Sequence, residues 1–72
     1  MNNPIKRRAA FDLKAWQYGT GDWFTVQLFA LISKADSSNR EAIRLGFPTE
    51  VEVFEEWQNM PTSDDFFNKY EV

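Results

Sequence analysis

Trp23-Phe24-Thr25-Val26-Gln27-Leu28-Phe29-Ala30-Leu31-Ile32-Ser33-Lys34-Ala35 is the stretch that decides the fold. It is thirteen residues long and contains neither Pro nor Gly, so it reads as a helix and not a strand. Phe24, Leu28, Leu31, Ile32 and Ala35 share one broad face, which Val26 and Phe29 widen. Only Trp23, Gln27, Ala30 and Lys34 form a stripe that suits water. A helix so nearly apolar all round needs cover on most sides. It is therefore expected at the centre of the fold, with Asp22 or Thr20 as its N-cap.

Working outward, the flanking punctuation is helical too. Gly19-Thr20-Gly21 closes a first helix over Pro4 to Tyr18, since Gly readily takes the left-handed C-cap conformation. Pro suits that helix's first turn, and Ile5, Ala9, Leu13 and Trp16 recur at helical spacing. Downstream, Ser38-Asn39-Arg40-Glu41 matches a capping box, and Gly46-Phe47-Pro48 ends the short helix it begins. Thr49-Glu50-Val51-Glu52 is a second box. It opens a fourth helix whose inner face is Val53, Phe54, Trp57 and Met60, and Pro61 ends it. Residues 61–72 read as a short C-terminal helix or tail. Ser63 is its N-cap, Asp64 and Asp65 suit the dipole of the first turn, and Phe66 and Tyr70 lie one turn apart.

No segment shows the period-two alternation of strands. The fold class is all-α: one compact bundle of four to five short helices over residues 1–72, with residues 1–3 a flexible start. A chain of 72 residues buries only a modest share of its surface. Cysteine is absent, so no disulfide braces it. Seven Phe, three Trp and two Tyr supply the bulk instead. Each ring buries about 150–250 Å² when packed.

The same composition bounds the chemistry. Without His or Cys, the common zinc ligands and the familiar nucleophile–base pairs cannot be built. No metal, cofactor or catalytic residue is expected, and the protein reads as a non-enzyme. Glu52 and Glu56 are one helical turn apart, as an acid–base pair could be, but an acidic solvent face is the preferred account of them. Tyr18-Gly19-Thr20-Gly21-Asp22 lacks the third Gly and the Lys-Ser/Thr of phosphate loops. Asp36-Ser37-Ser38-Asn39-Arg40-Glu41 lacks EF-hand spacing. No apolar run approaches the ~20 residues of a membrane span. The cytoplasm is the expected compartment.

Charge is segregated. Residues 1–36 carry a net +2 and residues 37–72 a net −5. Two surfaces follow. The first is the acidic side of the fourth helix, Glu52, Glu55 and Glu56, together with Trp23 as an aromatic anchor for a protein partner. The second is Arg7, Arg8, Phe11, Lys14 and Tyr18 on the first helix, where cations and rings interleave as in single-strand nucleic-acid binders. Net acidity argues against nucleic acid. The C-terminal Asp64, Asp65, Phe66, Phe67 and Tyr70 match that second face in charge and apolarity, and could cover it internally. A homodimer through Trp23 or Phe66 and Phe67 is a third expectation, since small domains gain stability by associating.

Thr20-Gly21-Asp22-Trp23-Phe24-Thr25, Leu28-Phe29, Lys34-Ala35-Asp36, Asn39-Arg40, Gly46-Phe47-Pro48-Thr49-Glu50-Val51 and Glu55-Glu56-Trp57 resemble short uncharacterised proteins of phages and other mobile elements. The resemblance spans residues 20–57 and brings no catalytic motif or ligand. It implies a context: a small accessory protein acting in the host cytoplasm on an unidentified bacterial host or defence protein.

Overall fold

A computed structural model describes residues 3–72. Five helices follow one another: α1 (Pro4–Tyr18), α2 (Phe24–Lys34), α3 (Ser37–Gly46), α4 (Pro48–Asn59) and α5 (Ser63–Tyr70). There is no strand among the described residues. The all-α bundle expected from the sequence is the fold, and the C-terminal segment forms a helix. Of the loose start expected at residues 1–3, residues 1 and 2 lie outside the described residues. Asn3 is ordered as the N-cap of α1, its side chain accepting from the Ile5 N–H at 2.9 Å.

Most helix limits sit where expected, but several caps do not. Gly19 closes α1 at φ 68°, the left-handed cap its type suggests. α2 starts from Trp23 with no side-chain cap, so neither Asp22 nor Thr20 serves. α3 begins one residue before the expected box, because the Asp36 carboxylate accepts from the Asn39 N–H at 2.8 Å. Glu41, freed from that box, pairs with Arg44 instead. α4 begins at Pro48, with Phe47 as its N-cap, so Thr49 sits inside the first turn and caps nothing. Proline at the first helical position has the right φ already and lacks the N–H a cap would satisfy. Thr62, not Ser63, caps α5, accepting from the Asp65 N–H at 3.1 Å. That leaves the Ser63 hydroxyl to accept from Trp57 Nε1 at 3.1 Å and Gln17 Nε2 at 3.0 Å.

The centre of the bundle is α4, not α2. α4 packs on all four other helices, and α1 packs on α2, α4 and α5. The core is Leu13, Phe29, Ile32, Val51, Val53, Phe54 and Phe66, all fully buried. Trp16, Phe54 and Trp57 form an aromatic knot, with ring centroids 5.5–6.0 Å apart. α2 buries only the side bearing Val26, Leu28, Phe29 and Ile32. Phe24 stays 68% exposed and Leu31 57% exposed, against the expectation that both face inward. The cause is α3. It could have covered α2, but it has no fully buried residue and leans on α4. Ile5 also departs from its expected place, at 66% exposed, while Ala10, Asp12 and Ala15 join the buried side of α1.

Candidate interaction surfaces

The acidic side of α4 is engaged from within. Glu52 pairs with Lys6 of α1. Glu55 accepts from Arg44 of α3 at 2.7 Å, with Arg40 at 3.9 Å. Glu56 pairs with Lys69 of α5 and accepts from the Tyr70 hydroxyl at 2.8 Å. Each glutamate thus ties α4 to a different neighbour, which is why charge segregated in sequence ends up interleaved in space. The Arg44 hydrogen bond holds the Glu55 carboxyl below the ordinary carboxylate range, and burial opposes it. At Glu56 burial pushes the carboxyl up, but hydrogen bonds from Lys69 and Tyr70 together hold it below that range. Burial pushes the Tyr70 hydroxyl up to about 12, and its bond to Glu56 adds to this.

These shifts make stability pH-dependent at both ends. Glu55 and Glu56 bind protons less readily folded than unfolded, so their contribution is present above the ordinary glutamate pKa and is lost as pH falls through their lowered folded values. Tyr70 holds its proton more tightly when folded. Its contribution is complete below about pH 10, the unfolded value, and is lost as pH rises towards 12. Tyr70→Phe should therefore flatten the alkaline fall in unfolding free energy and delete the tyrosinate absorbance step near pH 12. An unchanged alkaline limb in that variant would contradict the assignment.

The basic–aromatic side of α1 is half covered by α5. Phe67 places its ring 6.1 Å from Tyr18, and Lys14 Nζ sits 5.6 Å from the Phe67 centroid. Arg7 Nη2 donates to the Glu71 carbonyl at 3.4 Å. Arg8 lies over Phe11 at 5.2 Å and pairs with Asp12 at 3.2 Å. Phe11 and Tyr18 keep about half their surface in water. Phe66 and Phe67, offered by the sequence as dimer contacts, are buried in the core and cannot meet a second chain.

Trp23 is likewise fastened. Its indole N–H donates to Asp12 Oδ1 at 3.0 Å, and its ring stacks on Phe11 at 6.3 Å. Asp12 is only 3% exposed and is the one buried charged side chain among the described residues. A Cβ at Gly21 would run into the Trp23 ring, so glycine there is what lets the indole fold back. Trp23 is a lid over Asp12 that keeps 37% of its surface exposed. The spacing of Asp12 from Ala9 and Trp16 puts it on the inner side of α1, where a carboxylate is unexpected.

Among the described residues, a groove between α2 and α3 carries no internal partner. α2 contributes Phe24, Gln27, Leu28 and Leu31, and α3 contributes Ala42, Ile43 and Gly46. Phe47 shuts one end, its ring 5.8 Å from that of Phe24. The cavity is about 340 Å³ and continues past Leu31 towards Lys34, Ala35 and Asn39. α2 spans eleven residues, so the groove is about 16 Å long at the helical rise. Small residues on α3, Ala42 and Gly46, keep it open, while Arg40 and Arg44 pull that helix towards Glu55. Lys34 is the one charged side chain on its walls.

No group of three metal-ligating side chains occurs among the described residues, and no helix there is long and apolar enough to cross a membrane. Comparison with protein-family models, curated proteins and solved structures finds no match for this chain.

Proposed function

We propose that the protein is a small binding module whose α2–α3 groove receives the apolar face of an amphipathic helix from a protein partner. The observation that carries this is the groove itself: a helix-length apolar cleft whose α2 wall residues Phe24 and Leu31 lie mostly in water. Exposed contiguous apolar surface on a small domain marks a contact site, and a helix laid in such a cleft is a recurrent recognition mode. The Glu52, Glu55 and Glu56 surface suits the role less well, because a partner there would have to displace three internal ion pairs. The mobile-element resemblance of residues 20–57 fits an accessory protein acting on a host protein, and that context is part of the proposal.

Leu31→Glu tests it. The side chain is 57% exposed, so the fold should persist by circular dichroism. A charge in the cleft should weaken capture of a partner from bacterial lysate by at least about tenfold, as expected for a contact hot spot. Undiminished capture of the same partner would rule the groove out.

A further inference from the structure

We infer that the helix received by the α2–α3 groove is α2 of a second copy of this chain, laid antiparallel across a two-fold axis near Leu28. This rests on the reading of the groove as a helix-docking cleft, and it names the occupant.

The argument is one of self-complementarity. A two-fold contact places one patch against itself, so the patch must match its own reversed image. α2 does. Asp22, two residues before α2 begins, and Lys34, its last residue, lie at equal sequence distance on either side of Leu28. Both are exposed, and neither has an ion-pair partner among the described residues. Antiparallel pairing sets Asp22 of each copy beside Lys34 of the other, so both ends of the contact carry opposite charges. Between the charges, Phe24 and Leu31 are nearly symmetric about the same point, so each meets the other across the axis. Gln27, which lines the cleft, lies close to the axis. Its amide both donates and accepts, so it can pair with its own copy. A parallel arrangement would put like charges together at each end and align the two helix dipoles unfavourably.

Size points the same way. A 72-residue chain without a disulfide gains stability by covering exposed apolar side chains, of which Phe24 and Leu31 lie on one face of α2. The pairing buries Phe24 and Leu31 of both copies at once. Each α2 then rests in the cleft of the other copy, flanked by both α3 helices, which makes a four-helix face from two half-covered pairs.

The test is sedimentation equilibrium of the intact chain over a wide concentration range. A reversible dimer is expected for the wild type. Leu31→Glu should be monomeric. Asp22→Lys should weaken association by about tenfold, because two symmetry-related rim pairs are reversed together. The double variant Asp22→Lys/Lys34→Asp should restore the wild-type constant, since each new pair is again opposite in sign. A wild type that stays monomeric overturns the inference, as does a dimer indifferent to Leu31→Glu. A weakened Asp22→Lys dimer that the double variant does not rescue overturns the antiparallel register. A monomer that still captures a lysate protein, and loses it on Leu31→Glu, overturns the dimer while leaving the helix-in-groove reading in place.

Discussion

Phe54→Ala is expected to take about 3–5 kcal/mol from the unfolding free energy, a large share of what a chain of this length has. Phe54 is 1% exposed and sits on α4, the helix that touches all the others. Its ring lies 6.0 Å from Trp16 and 5.5 Å from Trp57, and the Arg40 guanidinium covers it at 5.2 Å. Truncating a buried Phe costs about 3–5 kcal/mol, part transfer and part residual cavity. A domain of this length has about 4–11 kcal/mol of stability to lose. The cavity would open where α1, α3 and α4 meet, so no single helix could shift to fill it without leaving another neighbour. Phe24→Ala is the contrast: the same chemical change at a ring mostly in water should move the stability of the monomer, measured at high dilution, by less than about 0.5 kcal/mol. Urea titrations followed by circular dichroism measure both. Similar midpoints for the two variants would refute the placement of the core at α4.

That contrast also shows how far the sequence could be read. Helix existence was legible because independent signals coincide. Gly19 and Pro61 fall where the apolar periodicity stops, and Asp36 and Thr62 cap two residues and one residue before Ser38 and Ser63, the positions the capping patterns suggest. The displacement comes from having neighbouring cap-competent side chains. Which of them accepts the N–H depends on where the preceding chain enters, and that is a tertiary matter.

Burial was less legible, and α2 shows why. Apolar character on every side predicts cover on every side only when enough neighbours exist. Five short helices cannot surround one of their own number while also satisfying α4. The competition was settled by charge: Arg40 and Arg44 reach Glu55, and α3 follows them. Such long-range pairs leave no local pattern in a single sequence. The same is true of Lys6 with Glu52, which lie 46 residues apart in the chain and meet only after folding. An acidic run that looked like a free surface was a row of fasteners. The apolar run that looked like a core supplied the exposed cleft.

The second large effect is expected at the lid over Asp12. Asp12→Ala should cost about 2–3 kcal/mol, because it strips the acceptor from the Trp23 indole and the anion from Arg8. Asp12→Asn separates those contributions. Its carbonyl can still accept from the indole, so only the pairing with the exposed Arg8 is lost, worth up to about 1 kcal/mol. Gly21→Ala reaches the same lid from the other side. The added methyl would occupy the space of the Trp23 ring, so the indole must move off Asp12, at a cost of about 1–3 kcal/mol. The two perturbations break one contact, so the double variant Asp12→Ala/Gly21→Ala should be less destabilised than the sum of the singles. Hydrogen exchange at the Trp23 indole reports the lid directly. Protection should survive Asp12→Asn and vanish in both Asp12→Ala and Gly21→Ala. Additive costs, or an indole that stays protected in Gly21→Ala, would mean that Asp12 and Gly21 hold the fold by separate routes and that Trp23 does not join them.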